Sequence, residues 1–116
     1  MPKKVTLTCR QIKLSLWIGF HRGEGARKQE LLIDFEATLR APTRKDEPSA
    51  IQLDYSKAYQ LIQKRLAGKK IKLIETVAEN VISILTEHFP VRSVTVSVTK
   101  KPFNLKGASV TYSLSR

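Results

Sequence analysis

Between Val5 and Phe20 apolar side chains fall on every second residue, as a strand with one buried face requires, but the phase changes once on the way. Val5, Leu7 and Cys9 hold odd positions, whereas Ile12, Leu14, Leu16 and Ile18 hold even ones. A one-residue slip turns every later side chain to the other face, so the chain must absorb an extra residue near Arg10-Gln11 as a bulge or short break. A second alternating run puts Leu31, Ile33, Phe35, Ala37 and Leu39 on one face and Asp34, Glu36 and Thr38 on the other. Gly19 to Ala26 holds three glycines and reads as a loop, and the two long runs most simply pair as an antiparallel hairpin.

The period then changes. Ala41 to Ala50 is charged and contains Pro42 and Pro48, which predicts a surface connection. Asp54 or Ser56 can cap a helix in which Ala58, Leu61, Ile62 and Leu66 recur at helical spacing until Gly68. A second helix is predicted from about Leu73 to His88 on the apolar face of Ile74, Val77, Ala78, Val81, Ile82, Ile84 and Leu85, and Pro90 stops it. Alternation returns at Val94-Thr95-Val96-Ser97-Val98-Thr99 and again over Ala108 to Leu114. Strand, strand, helix, helix, strand, strand predicts an α+β fold: a four-stranded antiparallel sheet with both helices on one face. Its bare edges need cover, which a sheet or barrel continued from subunit to subunit would supply.

At 116 residues the chain suits a single domain, 1–116. No apolar run reaches the roughly 20 residues of a bilayer span and MPKKVTLT lacks the apolar core of a signal peptide, so the expectation is a cytoplasmic protein with no membrane partner. The 21 Lys+Arg against 10 Asp+Glu give +11, which favours anionic partners. The basic residues fall in small scattered groups such as Lys69-Lys70-Ile71-Lys72, and along the sequence the aromatics are not interleaved with them as a stacking platform requires. That argues against nucleic acid. His21 and His88 lie far apart with no HExxH or CxxC spacing, so no metal site is indicated, and the P-loop and GxGxxG patterns are absent. The single Cys9 suits a small buried hydrophobe better than a nucleophile.

Four polar residues stand at element ends: Glu24 between glycines, Tyr55 and Glu75 at helix starts, and Lys100 on the parity of Val94, Val96 and Val98. Taken singly, each has a plainer explanation: a solvated loop acid, a packed ring, a carboxylate complementing a helix dipole, a snorkelling strand end. Their order is more specific. Gly19-Phe20 to Glu24, Gln29 opening the second strand, Asp54-Tyr55, Leu73-Ile74-Glu75-Thr76 and Lys100 followed closely by Pro102 resemble, over essentially the whole chain, the dihydroneopterin aldolase family.

The resemblance implies the tunnelling fold, in which four subunits close their sheets into a ring-shaped barrel, two rings stack as an octamer, and active sites lie between adjacent subunits. It implies retro-aldol cleavage of 7,8-dihydroneopterin, a pterin substrate, to 6-hydroxymethyl-7,8-dihydropterin and glycolaldehyde in folate synthesis, with epimerisation at the 2′ carbon in many members. Lys100 and Tyr55 would then handle protons, Glu24 would position the lysine and the substrate side chain, and Glu75 would grip the pterin edge with backbone groups near Ile74 and Leu53. No metal, Schiff base or other cofactor is called for. Two positions depart from the pattern: Gln52 stands where threonine is usual, and the doubled Lys100-Lys101 permits a one-residue shift. The alternatives are a dihydroneopterin triphosphate 2′-epimerase, which the +11 charge would suit, and a non-catalytic basic ring binding nucleic acid.

Overall fold

The computed structural model describes residues 4–19, 28–40, 46–102 and 105–116. The two long alternating runs form β1 (Val5–Ile18) and β2 (Lys28–Leu39), paired antiparallel from Val5 opposite Leu39 to Trp17 opposite Lys28. The register shifts between Cys9 and Ile12, where Arg10 and Gln11 together face Asp34. Gln11 takes a left-handed φ of 61°, and its N–H donates to Asp34 Oδ1 at 2.6 Å. The bulge thus lets Cys9 and Ile12 lie on the same face although their parities differ.

After a short 3-10 turn at Pro48–Ala50, helix α1 (Tyr55–Leu66) begins at Asp54, whose Oδ1 accepts from Ser56 N at 3.0 Å and Lys57 N at 3.3 Å. Asp54, rather than Ser56, is therefore the cap. Gly68, at φ 74°, turns the chain back, and Lys70–Ile71 form a short strand, β3, parallel to the end of β1. Helix α2 (Ile74–His88), β4 (Ser93–Lys100) and β5 (Val110–Ser115) complete the chain.

The sheet has five strands in the order β3-β1-β2-β4-β5, and it is mixed, which corrects the expected four-stranded antiparallel sheet. The extra strand is too short to show a period. It is held by backbone bonds instead: Gly68 N to Ser15 O and Trp17 N to Lys69 O at 2.8 Å, and Gly19 N to Ile71 O at 3.2 Å.

Both helices lie against one sheet face. Ala58, Ile62 and Leu66 of α1 and Val77, Ala78, Val81, Ile82, Ile84 and Leu85 of α2 are buried with Leu14, Leu16, Leu31, Ile33, Phe35, Val96 and Val98. The other face is polar, and between β4 and β5 it carries three hydroxyl pairs, Thr95–Ser115, Ser97–Ser113 and Thr99–Thr111, each 2.8 Å apart. Cover thins at both margins of the sheet. Val5, Leu7 and Cys9 on β1 and Tyr112 and Leu114 on β5 are half-buried, and Val110 is 40% exposed. Among the described residues β5 has one neighbour, and β1 meets β3 only at Trp17 and Ile18, so both edges are open to another strand.

Candidate active site

Local folding explains how each candidate side chain is presented. Leu53 is buried while Asp54 binds the first N–H groups of α1, so Tyr55 is pinned at the first helical position with its side chain 64% exposed. It borders a hollow of about 400 Å³ with Leu7, Thr8, Cys9 and Arg10. Gln52, at the departure from the family pattern, serves this segment as an anchor. Its Oε1 accepts from Arg40 N at 3.0 Å and its Nε2 donates to Arg40 O at 3.3 Å, as a neighbouring strand would.

Glu75 lies in the first turn of α2 and is exposed, whereas Ile74 before it is buried. The helix starts at Leu73, in extended conformation, and no side chain caps it. Thr76 N donates back to Leu73 O at 3.1 Å, and the dipole of the first turn favours an anion or a carbonyl oxygen there. Lys100 ends β4 on the face of Val94, Val96 and Val98 and is half-buried, since it lies where the helix layer thins. Lys101 lies past the strand and is exposed, and Pro102 is buried. Regular alternation therefore persists through Lys100 and stops before Lys101.

Glu24 lies outside the described residues, as does His21. Gln29, at the start of β2, ties that strand to the end of β1: its Nε2 donates to Ile18 O at 2.8 Å. No group of three or more His, Cys, Asp or Glu side chains that could hold a metal ion occurs among the described residues.

The candidates fall into two sets. Leu53 and Tyr55 belong to the end where β1 begins and β2 finishes, near Leu7–Arg10 and Arg40. Ile74, Glu75 and Lys100 belong to the opposite end, where β3 leads into α2 and β4 terminates. Buried Ile12, Ile33, Phe35 and Val98 lie between. One chain does not bring Tyr55 to Lys100.

Sequence reasoning missed the lining of the tyrosine hollow, although the phase change at Arg10-Gln11 marked the place. Cys9, in that lining, has a thiol pushed above its ordinary value of 9.0, first by burial and second by the nearby Asp34 carboxylate. It is held protonated at neutral pH and is a poor nucleophile.

Fold and residue placement define a class: α+β chains with two helices on one face of a curled sheet, both sheet edges open, and polar clusters at opposite ends. The family model FolB, dihydroneopterin aldolase, matches residues 7–115. The chain belongs to the dihydroneopterin aldolase family, and dihydroneopterin aldolase is the function this membership assigns. Solved structures share the fold. Dihydroneopterin aldolase of E. coli in complex with neopterin is 23% identical at a TM-score of 0.84, covering 97% of this chain and 98% of that one. The putative enzyme of Vibrio cholerae is 24% identical at 0.80, with the same coverage, 97% and 98%. A Burkholderia dihydroneopterin aldolase bound to guanine is 23% identical at 0.76, covering 99% and 90%. No curated protein matches the sequence.

Proposed function

We propose that the chain cleaves 7,8-dihydroneopterin in sites completed between neighbouring copies, Leu53 and Tyr55 coming from one copy and Ile74, Glu75 and Lys100 from the next, with Glu24 in the role of positioning the lysine and the substrate side chain. The observation that carries this reading is the separation of the two sets in a chain of this family, each set beside an open sheet edge. Apolar side chains flank both: Ile51 (58% exposed) and Tyr59 (47%) near Tyr55, and Val110 (40%) on the β5 edge. Pairing the β5 edge of one copy with the β1 edge of the next is head to tail, and such contacts close into a ring when the rotation between copies divides a full turn. A ring of four, stacked in pairs as an octamer, is the assembly we assign.

The chemistry follows from the groups. A pterin presents an amino group and a ring N–H side by side, and the Glu75 carboxylate accepts both while first-turn amides near Ile74 meet the carbonyl edge. A base, Lys100 acting with a water, takes the proton of the 2′ hydroxyl. The C1′–C2′ bond breaks, its electron pair enters the C=N bond of the dihydropterin ring, and glycolaldehyde leaves. Tyr55 then delivers a proton to C1′, giving 6-hydroxymethyl-7,8-dihydropterin. The ring itself is the electron sink, so the sequence of steps calls for neither a Schiff base nor a metal. Re-addition of glycolaldehyde through its other face inverts C2′.

Incubation with dihydroneopterin should release glycolaldehyde, and Lys100→Ala should abolish the release. The +11 charge, and Arg10 beside Tyr55, favour a second reading in which the side chain carries a triphosphate and C2′ is inverted without cleavage. Inversion of the triphosphate with no glycolaldehyde from either substrate would select it over the aldolase.

A further inference from the structure

The register of the sheet does what the linear sequence does not: it places an aromatic ring between lysines. Trp17 lies opposite Lys28 of β2 on one side and Lys70 of β3 on the other. Directly paired residues share a face, and Leu16 and Ile18 on either side of Trp17 are fully buried toward the helices. Lys28, Trp17 and Lys70 therefore form one row on the polar face, opposite the helix layer that carries Glu75. Both lysines are exposed and the indole is half-buried. Neighbouring strands lie about 4.8 Å apart, so each ammonium, on a stem of four carbons, can reach beyond the edge of a base stacked on the indole. The next row inward pairs Ser15 with Glu30, whose carboxylate disfavours an anion on that side of Trp17.

We propose that this row binds a nucleobase bearing a phosphate, the base stacked on Trp17 and the phosphate held by Lys28 and Lys70. An aromatic platform flanked by cations is the combination that binds nucleotide units without reading sequence. The unit can come from a free nucleotide or from a single strand, and the row lies on the sheet face opposite the helices.

Trp17 is the chain's single tryptophan, so its fluorescence reports the site directly. The probes are adenosine 5′-monophosphate, adenosine, inorganic phosphate and an eight-residue oligodeoxyadenylate, at low and moderate salt, with the intact protein. Adenine lacks the paired amino and ring N–H donors of a pterin, so Glu75 does not select it. The nucleotide should quench Trp17 saturably, more tightly than phosphate or adenosine alone. The variant Lys28→Ala/Lys70→Ala should weaken it about tenfold while glycolaldehyde release from dihydroneopterin stays unchanged. Calorimetry on Trp17→Ala should show a loss of about tenfold or more, partly restored in Trp17→Phe. Tighter binding of the oligonucleotide per site identifies single strands as the source; tighter binding of the mononucleotide identifies the free metabolite. Three results would each overturn the proposal: no quenching at millimolar nucleotide, equal binding by the double lysine variant, or loss of quenching in Glu75→Gln with the lysines intact.

Discussion

In the shared site proposed above, Tyr55→Phe and Lys100→Ala should each be nearly inactive alone and should rescue each other when mixed. Proton transfer by a positioned side chain contributes about 10²–10⁴-fold, so each variant alone should retain about 1% of activity or less. The separation comes from the register. Lys100 lies one residue past the Leu32–Thr99 pair, level with Leu14 of β1, whereas the hollow of Tyr55 is bordered by Leu7 to Arg10. With a rise of about 3.3 Å per residue and about 4.8 Å between strands, Lys100 and the backbone lining the hollow are roughly 15–20 Å apart, with packed side chains between them. If each site takes its tyrosine from one subunit and its lysine from the next, random assembly of an equal mixture leaves about a quarter of the sites intact. Co-expressed or co-refolded variants should therefore recover about a quarter of wild-type glycolaldehyde release. The double variant Tyr55→Phe/Lys100→Ala mixed equally with wild type sharpens the test: shared sites leave about a quarter active, and sites built within one chain leave about half. No rescue in the first mixture, together with half-activity in the second, would refute the shared site.

Lys100→Ala should lower kcat about 10²–10⁴-fold and Lys101→Ala, exposed past the strand, less than about threefold; equal losses would show the register to be wrong. Asp54→Ala removes the cap that pins Tyr55 and should cost about 1 kcal/mol in denaturant unfolding, whereas Ser56→Ala, whose backbone N–H does the bonding, should cost little. Gln11→Gly relieves the left-handed φ of 61° and should raise stability by about 0.5–1 kcal/mol, while the β-branched Gln11→Val should lower it, both read from melting curves. Cys9, whose thiol is pushed up from 9.0 by burial and by Asp34, should alkylate more slowly at pH 8 than a free thiol. Because its folded value is the raised one, the stability it contributes is complete below the unfolded value near 9.0 and declines as pH climbs through the folded value. Cys9→Ala should abolish that alkaline decline, and an unchanged decline would assign it to other groups.

How far the sequence was legible depended on whether a signal was periodic. The phase change at Arg10-Gln11 located the bulge because a single extra residue must switch every later side chain, and the structure has it between Cys9 and Ile12. Both helices were readable from their apolar spacing, and Asp54 from its capping chemistry. β3 was not, because two residues cannot display a period, and its partner bonds use backbone atoms that carry no residue identity. The same blindness hid the Lys28–Trp17–Lys70 row, whose members are up to 53 positions apart in sequence and meet only through strand register. Of the candidate site, residue types and order were legible; the division of Tyr55 from Lys100 was not, since it depends on which end of the sheet each helix and strand reaches.

A lysine on the buried parity of a valine strand would be a fault in a closed core. At Lys100 it is tolerated because cover fails there: the residue opposite, Val110, is 40% exposed, and the strand beyond it has an open edge. The same holds at the other margin, where Leu7 and Cys9 are half-buried beside an exposed Tyr55. In the assembly proposed above, joining the β5 edge of one copy to the β1 edge of the next covers both apolar margins and brings the lysine of one chain to the tyrosine of its neighbour. Edge closure and site completion are then one event. A substitution that weakens the edge contact, such as Val110→Asp, should lower assembly and activity in parallel as protein is diluted, whereas Lys100→Ala should remove activity from a ring that still assembles. Full activity in a dissociated Val110→Asp monomer would separate the two events and sink the coupling.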